Sequence, residues 1–165
     1  MIGKSVSNFR NFIFGVEDSL VSTVGLLSGV ASADASKATL FLTGLVLIFV
    51  EAFSMAAGSF LSERSAAQFE KRQVVSLRHS VGPGAIMFFS YFVSGFVPLA
   101  PYLLFPVNQA FFISIMCSLV ALFVLGIISG KISKTSIWHG AMSMFLVGGI
   151  AIGVGVFVGE LVSRL

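Results

Sequence analysis

The chain has 165 residues, of which 56% are hydrophobic and only 10% charged, and its mean hydropathy is +1.01. Soluble domains carry about 25% charged residues, so a soluble globular protein is excluded and an integral membrane protein is indicated. The formal charge of +3 calls for no nucleic-acid partner, because the basic residues fall in short connections between apolar runs. The single cysteine, Cys117, excludes an intrachain disulfide and any paired-cysteine metal site; lying in an apolar run, it is expected to be a packed, buried thiol.

A membrane-spanning helix needs about 20 predominantly apolar residues. Five segments qualify, at 12–33, 39–61, 84–105, 110–130 and 140–161, and predict an all-α membrane protein of one five-helix domain. The opening MIGKSVSNFRNFIFGVED is interrupted early by polar and acidic residues, with no small-residue cleavage site after a short apolar core. The first helix is therefore expected to be retained. The connection at 62–83 reads as a polar helix continuing from helix 2 and ended by Gly82-Pro83-Gly84. Pro98 and Pro101 are expected to kink or end helix 3.

Basic residues orient the bundle. Lys4, Arg10, Arg64, Lys71, Arg72, Arg78, Lys131 and Lys134 fall on one side, and only Lys37 and Arg164 on the other. The N-terminus and the 62–83 connection are thus expected in the cytoplasm and the C-terminus outside, with the inner membrane of a prokaryotic cell as the expected location.

Two carboxylates, Asp18 and Glu51, lie inside apolar runs that contain no Lys or Arg. An ionised group at mid-bilayer costs roughly 2.5–3.5 kcal/mol on the lenient insertion scale, and such residues are functional by default. A chain that keeps two is expected to hold a cation with them: a proton or a metal ion. Helical spacing puts Asp18, Ser22, Gly25 and Gly29 on one face of helix 1, and Gly44, Glu51, Met55, Gly58 and Ser62 on one face of helix 2. Small residues let membrane helices approach closely, so each carboxylate is expected on a packing seam and not against lipid. The plain alternative for Asp18 is a helix start favoured by the dipole, and for Glu17, about 100° around the helix, that reading is preferred. For Glu51, near the middle of helix 2, the alternative is a structural pairing with a polar neighbour.

Met55 lies one turn from Glu51. Methionine in a membrane helix usually fills gaps, but on a carboxylate stripe it is also a candidate thioether ligand. Carboxylate with thioether suits a borderline transition ion better than Mg²⁺ or Ca²⁺, which prefer oxygen shells. Met142 and Met144 have no such context and are expected in the core. The GxxxG spacings at Gly126/Gly130, Gly149/Gly153 and Gly155/Gly159 indicate helix packing only. His79 and His139 are too isolated to form a cluster, Glu160 is expected to be solvated, and no catalytic triad, P-loop or HExxH is present, so no enzyme is expected.

At FIFGVEDSLVSTVGLLSGVASA (12–33) and EAFSMAAGSFLSERS (51–65) the chain resembles the vacuolar iron transporter family, with its FGxxDGLxxxxxLxxG and SMxxGxYLxxxS patterns. FVSGFVPLAPYLL (92–104) and LVALFVLGIISGKISKTSIW (119–138) resemble the family's helix 3 and helix 4. The resemblance implies a five-helix homodimer that exchanges Fe²⁺, and often Mn²⁺, for protons, with no bound cofactor. It implies that Asp18 and Met55 line a pathway at the dimer axis, with Gly25, Gly29 and Ser54 beside them. Three departures stand out. The usual Asp-Gly is Asp18-Ser19 here; the family's helix 2 glutamate position is Leu47, with Glu51 one turn nearer the methionine; and 62–83 is too short for the Glu-rich cytoplasmic metal-binding domain of many members. Glu51 is taken as a displaced substitute, and the chain as a short, prokaryotic-type member.

The expectation is therefore a homodimer in the bilayer carrying Fe²⁺ or Mn²⁺ out of the cytoplasm against H⁺. The metal set is Asp18, Glu51 and Met55, the pathway is lined by Ser22, Gly25, Gly29, Ser54 and Gly58, and Glu17, Glu63 and Glu70 are weaker candidates. Three ligands per chain, doubled by a two-fold axis, would supply the four to six that a transition ion takes. The connection, with Arg64, Lys71, Arg72 and Arg78 against Glu63 and Glu70, is read as a membrane-surface anchor. The competing readings are a non-transporting scaffold or regulatory subunit, and an organic-cation transporter. The latter would want aromatics beside the carboxylates, whereas Phe53 and Phe60 lie off the stripe.

Overall fold

The chain folds, in a computed structural model, into five helices: α1 (Ile2–Ser32), α2 (Lys37–Lys71), α3 (Arg78–Leu104), α4 (Val107–Ser133) and α5 (Ile137–Ser163). Residues 2–74 and 76–164 are described, with the side chains of residues 2–4, 78 and 79 outside that description. The described residues contain no strand, and all five helices are long and apolar enough to cross a membrane. The expected all-α, five-span fold is what the chain forms.

The helices are longer than the apolar segments that announce them. At 1.5 Å per residue α1 and α2 run about 46 and 52 Å, against a hydrocarbon core of about 30 Å. The excess lies at one end, where the start of α1 packs along the polar extension of α2. There Arg10 pairs with Glu63 at 2.5 Å, Ser7 Oγ donates to Glu63 at 2.6 Å, and buried Ser59 donates to buried Asn11 at 2.7 Å. Arg64, Lys71 and Arg72 belong to the same end. At the other end Lys37 Nζ donates to the Leu103 carbonyl. The side chains of Lys4, Arg78 and His79, also used in reading the sequence, lie outside the described residues.

Gly82-Pro83-Gly84 does not end the polar helix, contrary to expectation. α2 stops earlier, at Arg72 in the left-handed conformation (φ 50°), and all three residues lie within α3. Gly84 serves close packing instead: a Cβ there would meet the Ala56 carbonyl oxygen of α2 at 3.2 Å. Nor do Pro98 and Pro101 end α3, which runs on to Leu104. Proline frees backbone carbonyls, and neighbouring helices in a membrane can make up the loss; here Ser114 of α4 donates to the Pro98 carbonyl at 2.7 Å. Lys134, left-handed at φ 54°, ends α4 in a Schellman turn, with Thr135 N bonded to Gly130 O and Lys134 N to Lys131 O.

α1 is the hub. It packs on α3 and α5 and touches α2 and α4, while α2 lies mainly against α3 and α5 against α4. Buried Leu27, Leu40, Ile48, Leu99, Tyr102 and Ala110 form the core where α1 to α4 meet. The outward faces are apolar, as lipid requires. Cys117 is on such a face and not packed inside, and Met142 is 46% exposed on α5, so neither is the core residue expected from its apolar run. His139 and Glu160 are exposed.

Candidate metal pathway

The polar content of the membrane region concentrates on α1. Ser19 and Thr23 are fully buried, and Glu17, Asp18 and Ser22 are half-buried around them. α3 approaches this stretch closely because of Gly95, where a Cβ would meet Ile48 of α2 at 2.7 Å and Ser19 Oγ of α1 at 2.9 Å. Only glycine admits α3 at that depth. The close approach brings Tyr91, one turn before Gly95, against α1. Its side chain is 0% exposed, its hydroxyl lies 2.8 Å from Ser22 Oγ, and its carbonyl accepts from Ser19 Oγ at 2.7 Å.

Across this point α2 presents half-buried Glu51. Asp18 and Glu51 lie within electrostatic reach of each other, and both act on the Tyr91 hydroxyl. Among the described residues neither carboxylate has a salt-bridge partner; Arg10 is taken by Glu63. Three helices thus bring together two carboxylates and two hydroxyls: Asp18 and Ser22 from α1, Glu51 from α2 and Tyr91 from α3. The two carboxylates, with the Ser22 hydroxyl near them on α1, can bind a hard or borderline cation, or a proton in its place. Among the described residues, no group of three or more His, Cys, Asp and Glu gathers at one point.

The other residues singled out in the sequence divide. Met55 is half-buried one turn from Glu51, and Glu17 is half-buried beside Asp18. Ser54 and Gly58 are exposed on the outer side of α2, and nothing lies within 4 Å of where a Gly58 Cβ would stand. Gly25 and Gly29 pack within the chain itself. They face α5 of the same chain, where a Gly29 Cβ would meet the Gly155 carbonyl oxygen at 2.7 Å, and they border a groove between α1 and α5 that Ser22 also lines. The stripe announces close packing without naming the partner, and Gly155 and Gly159 of α5 supply it. Glu63 is tied into the α1–α2 pairing, and Glu70 is exposed near the end of α2. Tyr91 was missed: it sits in an apolar run, and only its four-residue spacing to Gly95 hinted that a side chain there meets another helix.

The fold and the sequence together define a multi-pass integral membrane protein. A model of the VIT family matches residues 9–82 and 75–160, nearly the whole chain. The chain belongs to that family, as the resemblance at 12–33 and 51–65 implied. It is also 24% identical, over 172 aligned positions covering 93% of this chain and 89% of the other, to an uncharacterized protein of the archaeon Methanocaldococcus jannaschii. Family membership makes this chain a membrane metal-ion transporter.

Proposed function

We propose that the protein carries a divalent transition ion, Fe²⁺ or Mn²⁺, across the membrane in exchange for protons. The observation that carries this reading is the juxtaposition of Asp18 and Glu51, half-buried at membrane depth with no cationic side chain paired to either among the described residues. Holding two anions there is unfavourable unless a cation visits. Proton and metal compete for the same carboxylate oxygens, so loading one releases the other, which is the minimum an exchanger needs.

Met55, one turn along α2, supplies a softer atom that favours Fe²⁺ or Mn²⁺ over Mg²⁺. With Asp18, Glu51 and Met55 as the ligands of one chain, we read the working unit as a two-fold dimer sharing one site, seated on the outer face of α2 where Ser54 and Gly58 are exposed. Cysteines in place of Gly58 should crosslink between copies once Cys117 is replaced; Gly25 and Gly29, covered by α5, should not. With the basic end in the cytoplasm, inward proton flow would drive metal outward.

The reading is tested in liposomes holding a metal-sensitive dye, with and without a pH gradient. Gradient-driven metal flux is expected; a chain that moves no metal would be the scaffold instead. Met55→Leu nearly conserves volume and is expected to lower Fe²⁺ and Mn²⁺ transport severalfold with little change in melting temperature. Unchanged metal preference in that variant would return Met55 to packing.

A further inference from the structure

We infer that Tyr91 is a positioning residue of the cation site: it fixes Ser22 one turn beyond Asp18 and so sets how tightly the ion is held without touching it. This rests on the transport reading above. The geometry is specific. Tyr91 is wholly buried, and α1 grips it at both ends, through Ser19 Oγ to its carbonyl at 2.7 Å and through Ser22 Oγ to its hydroxyl at 2.8 Å. Ser94 Oγ also donates to the Tyr91 carbonyl, at 3.2 Å. The ring therefore has one place to be, and its hydroxyl ends within reach of the Asp18 and Glu51 charges.

Two hydroxyls bonded to each other use one proton between them, so the pair keeps one O–H free to donate. An arriving cation favours an oxygen lone pair, and Ser22 can present one when its proton is donated to the Tyr91 hydroxyl. Ser22 alone, on a half-exposed stretch of α1, has three rotamers to sample. The bond to a pinned Tyr91 selects one and removes that ordering cost from ion binding.

The test compares wild type, Tyr91→Phe, Ser22→Ala and the double variant as full-length protein in liposomes, reading initial Mn²⁺ flux against Mn²⁺ concentration. Tyr91→Phe keeps the ring and the backbone carbonyl that Ser19 holds, so the helices should stay packed. It is expected to raise KM about fivefold, as the loss of one net hydrogen bond would, with the maximal rate within about twofold. The double variant should match Ser22→Ala alone, because the two hydroxyls act as one device. A purely structural Tyr91 would lower the melting temperature and the amount of active protein while leaving KM at the wild-type value, and that result would overturn the inference. So would additive effects of the two substitutions. If wild type itself moves neither Mn²⁺ nor Fe²⁺, the transport reading falls and this inference with it; if wild type transports and Tyr91→Phe has the same KM, only the inference falls.

Discussion

Asp18→Asn is expected to abolish metal transport, down to the leak of protein-free liposomes, while the protein still inserts and purifies as wild type does. The substitution keeps the side chain's shape and removes its charge. Asp18 holds no helix in place: among the described residues it has no ion pair, and the contacts that fasten α1 are made by its neighbours. Ser19 bonds α3, Asn11 bonds Ser59 of α2, and Arg10 bonds Glu63. Removing an anion from membrane depth should if anything ease insertion. Flux at the wild-type rate would reduce Asp18 to a residue tolerated near a helix start.

The second large effect is on folding. α1 and α5 meet backbone to backbone at Gly25 and Gly29 against Gly155 and Gly159. A Cβ on Gly155 would collide with the Gly25 carbonyl oxygen and come within 2.9 Å of its carbonyl carbon; a Cβ on Gly159 would collide with the Gly29 carbonyl oxygen. Backbone cannot turn aside as a flexible side chain can, so the helices must separate. That would also strain the bond that crosses between them, from Ser32 Oγ to Val156 O at 3.3 Å. Gly155→Ala is therefore expected to cost about 1–3 kcal/mol, the usual range for overpacking, and Gly155→Leu to prevent folding. Gly153→Ala, two residues away with nothing within 4 Å of its Cβ, should be neutral within about 0.5 kcal/mol. Thermal unfolding in detergent compares them directly. Equal melting temperatures for Gly153→Ala and Gly155→Ala would mean that α1 and α5 do not meet this way.

What the sequence made legible follows from which signals are local. Five spans can be read from apolar length alone, because each helix satisfies its own backbone in lipid. Asp18 and Glu51 stand out because charge in such a run is costly whatever surrounds it, and Glu63 could be weighed as a weak candidate because it lies beyond the apolar core. Partnership is not local. The Gly25–Gly29 stripe says that some backbone comes close, but whether that backbone belongs to α5 or to a second copy depends on the whole arrangement of helices. Gly82-Pro83-Gly84 reads as a turn by composition, yet Gly84 is there to let α3 approach Ala56 of α2. Tyr91 was invisible for the same reason: its value lies in Ser19 and Ser22, 72 and 69 positions away along the chain.

The central claim is that Asp18 and Glu51 form the place where the ion is held. Titrating Mn²⁺ into the purified full-length protein, with free Mn²⁺ followed by its electron paramagnetic resonance, measures that occupancy without requiring transport. The expected result is one tightly held ion per two chains in wild type, and none in the variant that combines Asp18→Asn with Glu51→Gln. Wild-type affinity and stoichiometry in that double variant would contradict the account and move the ion to another part of the molecule.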